Sequence, residues 1–161
     1  MTIFMKILVI LSLAFTFWGA GCSEHVHDEN CQSHGGYHVH SALMGGELIP
    51  VDEHGSGYNL EILIDESDRL SIYILDAHAE GFVRINQPTL EVLYTEKNQS
   101  TLLKLDAVAD SATGETVGNT SHFRSSSSVE ANTPFEGKIN SLVIGSREYN
   151  QTKISYSGTN K

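Results

Sequence analysis

Two neighbouring stretches, Gly57–Asp65 (GYNLEILID) and Leu70–Asp76 (LSIYILD), decide the fold. Apolar side chains recur at every second position in both, which is the pattern of a β-strand with one buried face. The apolar residues that would share this face are Tyr58, Leu60, Ile62, Ile64, Leu70, Ile72 and Ile74. The intervening residues 65–68 (DESD) are turn formers, so the two strands are predicted to form a β-hairpin.

Short segments with the same alternation continue to the end of the chain. Strands are predicted at Phe82–Asn86, Thr89–Thr95, Thr101–Val108, Thr120–Arg124, Ser128–Ala131, Gly137–Ile144 and Glu148–Tyr156. The last two would form a hairpin that turns at Gly145-Ser146. Since no stretch has a sustained helical period, we predict an all-β domain over residues 46–158. Its expected architecture is a single antiparallel β-sandwich, immunoglobulin-like in the loose sense.

The N-terminus has the organisation of a bacterial secretory signal. Lys6 supplies a positive charge, Ile7–Phe17 is almost wholly apolar, and small residues at 19–21 precede Cys22. The apolar run is shorter than the roughly 20 residues of a membrane span. We therefore predict a signal peptide over residues 1–21 and lipidation of Cys22. The lipid would anchor the protein facing the periplasm, on the outer membrane because Ser23 follows the cysteine, or on the inner membrane.

An ordinary signal-peptidase site is the alternative to lipidation. Most lipidation sites have Leu three residues before the cysteine, where this chain has Gly19. If Cys22 carries no lipid, it could form a disulfide with Cys31 in an oxidising compartment.

Residues 22–45 are predicted to form a flexible tether rich in potential metal ligands. Residues 24–41 read EHVHDENCQSHGGYHVHS and show no apolar periodicity. The candidate ligands here are His25, His27, Cys31, His34, His38 and His40. Imidazole and thiolate are preferred ligands of Zn and Cu, so these residues predict a metal-binding tether. Within the β-domain, His78 is a weaker candidate because it lies between Asp76 and Glu80 just after a strand.

Composition and motifs exclude several functional classes. The formal net charge is −10, and loss of Lys6 with the signal makes the mature chain more acidic still, which argues against nucleic acid as a partner. The sequence contains no GxSxG, no HExxH and no glycine-rich phosphate loop. Cys31 lies in the tether, where a nucleophile would lack rigid support. We therefore predict that the protein is not an enzyme.

Three segments of the chain carry a family resemblance. They are Gly45–Ile49, Tyr58–Asp65 and Leu70–Glu80, the last ending in LDAHAE. Together they resemble small bacterial periplasmic lipoproteins and the N-terminal segment of heavy-metal efflux adaptor (membrane-fusion) proteins. The resemblance implies a periplasmic β-domain with metal-efflux components as partners, and it implies no catalytic residue. The lipoyl-like hairpin and coiled coil of a complete adaptor have no counterpart in this sequence.

Two functions are therefore expected. In the first, the protein buffers or hands over Cu or Zn through its histidines. In the second, it is a non-enzymatic interaction or scaffolding module, and the histidines are only a spacer.

Overall fold

The structure is a computed structural model that describes residues 40–52, 57–97 and 99–159. These residues contain eight β-strands and no helix. The strands are β1 (Glu47–Pro50), β2 (Asn59–Ile64), β3 (Leu70–Leu75), β4 (Thr89–Glu96), β5 (Gln99–Ala107), β6 (His122–Ser125), β7 (Phe135–Ile144) and β8 (Arg147–Tyr156). They belong to one compact unit, His38–Lys161.

All eight strands form one antiparallel sheet in the order β1-β2-β3-β6-β5-β4-β7-β8. The sheet curls until its two end strands approach each other. Ser157, just after β8, donates its amide N–H and its hydroxyl to Glu47 Oε1 in β1. Arg147 of β8 forms an ion pair of 3.3 Å with Asp52, just after β1. The prediction of an all-β antiparallel domain is confirmed, and the nearly closed sheet is consistent with a sandwich-like or barrel-like fold.

The predicted hairpin is formed by β2 and β3. Leu60 faces Ile74 and Ile62 faces Ile72 across the two strands, so their side chains share the buried face. Asp65 shapes the turn, since its Oδ1 accepts the amides of Ser67 and Arg69 at 2.8 and 3.2 Å. The hairpin thus forms for the reasons that the sequence pattern indicates.

The concave face of the sheet holds one continuous apolar core. Every second residue of the central strands contributes to it, as the period of two requires. Its members include Leu60, Ile62, Leu70, Ile72, Ile74, Leu90, Val92, Leu105, Phe123, Ile139, Leu142 and Ile144, each less than 2% exposed.

Two of the predicted strands do not form. Residues 82–86 make only the isolated bridges Leu75↔Phe82 and Ile85↔Thr120, and residues 128–131 lie outside the strands. The first segment carries the chain from β3 to β4, which β6 and β5 separate in the sheet, so it crosses the sheet instead of extending it. Val129 is nevertheless buried, and its amide donates to the carbonyl of Asp68 at 2.8 Å.

Candidate functional site

Glu61, in the middle of β2, is a fully buried carboxylate on the outer face of the sheet. Its neighbours Leu60 and Ile62 face the core, so the alternation of the strand turns Glu61 the other way. Its exposed fraction is nevertheless 0%. Three backbone amides donate to it, Leu43 to Oε2 at 2.8 Å and Met44 and Gly46 to Oε1 at 2.7 Å each. These bonds satisfy a charge that would otherwise be very costly to bury.

Two glycines allow the backbone to come this close to Glu61. Gly45 has a φ of 78°, a left-handed conformation that favours glycine. A Cβ on Gly46 would lie 2.5 Å from the carbonyl oxygen of Ile62 and 3.0 Å from Cγ of Glu61. The close approach of the backbone to Glu61 therefore requires the Gly-Gly pair. We use the name Glu61 anchor for the Glu61 carboxylate together with the amides of Leu43, Met44 and Gly46 that donate to it.

The Glu61 anchor holds the backbone of residues 43–46 against the outer face of β2. The hydrogen bonds of the domain thus extend to residues 43 and 44, which precede the predicted boundary at residue 46. Next to the anchor, His40 contacts His78, with ring centroids 5.7 Å apart and ring planes at 58°. The fold therefore brings together two of the predicted metal ligands that are distant in sequence.

His78 is held in place by a turn that Asp76 organises. Oδ1 of Asp76 accepts the amides of His78 and Glu80 at 3.1 and 3.0 Å. From β2, Nδ2 of Asn59 donates to the carbonyls of Asp76 and Ala77 at 2.9 and 3.1 Å. Asp76 therefore acts as a turn former beside His78. Among the described residues, no group of three or more His, Cys, Asp or Glu side chains is placed to hold a metal.

Met44, in the segment of residues 40–46, borders a cleft of about 500 Å³. The ring of Tyr73 stacks on that of His122, with centroids 4.1 Å apart and planes at 10°. Phe82 packs against Tyr73 at 5.8 Å and is 47% exposed, and Met44 at the rim is 50% exposed. The cleft therefore has an aromatic wall and an accessible apolar rim.

Polar groups also line the cleft. Glu115 is buried and accepts the amide and hydroxyl of Ser121 at 2.9 and 2.7 Å. Nε of Arg84 forms an ion pair with Glu115 Oε1 at 3.5 Å. The cleft thus combines an apolar half with a hydrogen-bonded, charged half.

Burial is the largest cause of the pKa shifts of the stacked residues His122 and Tyr73. Desolvation lowers the pKa of His122 to about 4, although Glu115 acts in the opposite direction. Nε2 of His122 lies 3.1 Å from the hydroxyl of Ser71. Burial, and then the charges of Glu61 and Asp65, raise the pKa of Tyr73. Both rings are therefore neutral at pH 7, which suits stacking in a partly apolar site.

The remaining predicted site residues lie outside the described part of the chain. They are Cys22, His25, His27, Cys31, His34 and His38. Sequence reasoning overlooked Glu61, Tyr73 and Glu115, and it noted His122 as a histidine of the β-domain without assigning it a role. For Glu61 a signal was available, because it is the one charged residue of β2 and has apolar residues on both sides.

Comparisons with known proteins give no relative for this chain. No protein-family model matches it, and neither curated proteins nor solved structures yield a significant match. Within residues 40–52, 57–97 and 99–159, no helix has the length and apolar character needed to cross a bilayer.

Proposed function

We propose that the protein binds Cu or Zn through a histidine site, and that it buffers or hands over the metal. The observation that supports this proposal is the contact between the rings of His40 and His78, 5.7 Å apart. Zn–N bonds are about 2.0–2.1 Å long, so two imidazoles on one tetrahedral ion have centroids roughly 5 Å apart. A small rotation of the exposed His78 would bring both rings to this separation.

The two histidines are held by different parts of the fold. The Glu61 anchor fixes the backbone three residues after His40, and the Asp76 turn orients the backbone at His78. A pair oriented in this way reduces the ordering cost that a metal would otherwise impose on a flexible chain. The folded domain would thus supply a starting point for a site that the upstream histidines complete.

Further ligands are proposed from the tether. His38 precedes His40 by two residues, a separation of at most about 7 Å along an extended chain. His25, His27, His34 and optionally Cys31 would add to the capacity of the site. In this proposal Cys22 carries the lipid that anchors the protein to the membrane in the periplasm, and metal-efflux components receive the metal.

Calorimetric titration of Zn(II) and of Cu(II) into residues 23–161 tests the proposal. This chain retains the whole compact unit that begins at His38. We expect micromolar or tighter binding that weakens about tenfold or more when His40 and His78 are both changed to Ala. His54→Ala is the control for removal of a histidine elsewhere in the sequence. Equal affinity of the double variant and the parent would refute a role for this pair.

A truncated chain tests the tether and His40 together, and a change of pH tests the ligand type. A chain that begins at Ala42 lacks His40 and every upstream histidine, and we expect it to bind neither metal. Protons compete with metal for imidazole, so affinity should fall as the pH drops below about 6. Undiminished affinity at pH 5 would contradict histidine ligation.

The alternative function, a protein-interaction module, is favoured by the cleft. The exposed side chains of Phe82 and Met44 lie beside the Tyr73–His122 stack and form an accessible apolar rim. Phe82→Ser should then abolish partner capture, and Val117→Ser, at another exposed apolar residue, should leave it unchanged. His40→Ala with His78→Ala should also preserve capture, which separates this function from metal binding.

A further inference from the structure

A row of four side chains crosses the outer face of the sheet on β5, β4, β7 and β8. The strand registers pair Leu102 with Leu93, Leu93 with Lys138, and Lys138 with Lys153. Adjacent strands are about 4.8 Å apart, so the row is about 14 Å long. Leu102 and Leu93 are 56% and 38% exposed, and both lysines are exposed. The row is therefore apolar at one end and cationic at the other.

The two lysines of this row differ from the other lysines of the described domain. Lys97 pairs with Glu130 at 2.7 Å and Lys104 pairs with Asp106 at 3.0 Å. No ion pair joins Lys138 or Lys153 to a carboxylate of the residues that the structure describes. Like charges directly opposite each other on adjacent strands disfavour the pairing. This chain has twice as many acidic as basic residues, so two facing lysines that form no ion pair with a described carboxylate are a distinct local feature.

A groove of about 640 Å³ lies at the cationic end of the row. Lys138, Lys153 and Leu93 line it together with the apolar side chain of Ile49. Thr95 and Ser155 also line it, and their hydroxyls can donate hydrogen bonds to an anion. One carboxylate, Glu136, lies in the lining as well, so the charged side chains of the groove sum to a single positive charge.

We propose that this groove binds a single-chain amphiphilic monoanion, such as a long-chain carboxylate. Its head group would lie between Lys138 and Lys153, and its alkyl chain would lie along Leu93 towards Leu102. The single positive charge of the lining matches one carboxylate better than a dianionic phosphate. A concave groove fits one molecule, whereas the net charge of −10 disfavours adsorption to an anionic bilayer.

Calorimetry with dodecanoate, below its micellar concentration, tests the proposal on residues 23–161. We expect saturable binding that falls about tenfold in Lys138→Gln and in Lys153→Gln, because each change removes a charge-assisted hydrogen bond. Leu93→Asn should weaken binding by removing apolar contact with the chain. Lys104→Gln, at a lysine outside the groove, is the matched control and should bind like the parent. All four positions are exposed, so the variants should remain folded, as circular dichroism can verify.

Three further probes separate the contributions of head group and chain. Acetate, which has the charge without the chain, and octyl glucoside, which has a chain without charge, should both bind far more weakly than dodecanoate. Equal binding of octyl glucoside, or dodecanoate binding that both lysine variants retain, would overturn the proposal. Binding to phosphatidylglycerol vesicles without binding of dodecanoate would also overturn it and would assign the lysines to a membrane surface.

Discussion

Strands β2 and β8 lie in the same curled sheet, yet their outer faces differ completely. In β2 the outward-facing Glu61 is fully buried beneath the backbone of residues 43–46. In β8 the outward-facing Lys153 is exposed and lines an open groove. The strands share one apolar core, but the outer face of the sheet differs between its β2 region and its β8 region. Near β2 the outer face carries the 43–46 backbone and the histidine pair, whereas near β8 the described residues leave the outer face exposed.

Of the changes that test this difference, removal of the Glu61 carboxylate should lower the stability of the domain the most. In Glu61→Ala, three backbone amides lose their acceptor, and a buried site is left empty. We expect the free energy of unfolding to fall by about 3 kcal/mol, as measured by urea denaturation. Glu91→Ala, at an exposed position on the same outer face, should cost less than about 0.5 kcal/mol. Equal losses would mean that the covered face contributes no more to stability than the open one.

Gly46→Ala disrupts the same anchor by altering the backbone that donates to Glu61. The new Cβ would lie 2.5 Å from a backbone carbonyl oxygen, so the 40–46 segment must shift away from β2. We expect a loss of about 2 kcal/mol and a weaker metal affinity, because His40 would lose its fixed position beside His78. Gly114→Ala is a useful comparison, since a Cβ there meets nothing within 4 Å and only its φ of 75° opposes the change. A Gly46→Ala variant as stable as Gly114→Ala would contradict the close approach.

The pH dependence of stability should also differ between the two regions of the sheet. His122 lies in the cleft that Met44 borders, and its folded pKa of about 4 is below its unfolded value of 6.5. As the pH falls, the unfolded state therefore binds the proton first. Stability should therefore be nearly independent of this group well above pH 6.5 and should fall as the pH drops from 6.5 towards 4. The loss should be smaller than the roughly 3 kcal/mol that the full pKa difference would give, because the ring is only partly buried. Urea denaturation in a chelator-containing buffer measures this loss. His122→Gln cannot titrate, and a slope unchanged in that variant would assign the loss to other groups.

The smallest effect on stability is expected at the exposed outer face of β7 and β8. Lys138→Glu replaces a facing pair of like charges with a pair of opposite charges, across from Lys153. We expect stability to rise by a few tenths of a kcal/mol at low salt and to lose this gain at high salt. The same change should abolish dodecanoate binding. A variant that is more stable and still binds dodecanoate would separate the lysine pair from ligand binding.

Much of the fold was predictable because its strands follow the period of two closely. The β2–β3 hairpin and the final hairpin through Gly145 occur where the sequence places them. Phe82–Asn86 was misassigned because alternation alone cannot distinguish a strand from a loop that crosses the sheet. The candidate site was predictable only in part. His40 and His78 were identified as ligand types, but the sequence analysis assigned no role to Glu61, whose carboxylate holds the backbone that follows His40.

By itself, the sequence determined the class of the fold, the core face of most strands and the turns, because these depend on neighbours along the chain. Only the tertiary structure decided which outward-facing residues are buried and which remain open. Glu61 and Lys153 both occupy outward positions in amphipathic strands, and no local pattern distinguishes their environments. The difference arises because residues 43–46, some 15 to 18 positions before Glu61, place three amides over one strand. Among the residues that the structure describes, no such segment covers Lys153.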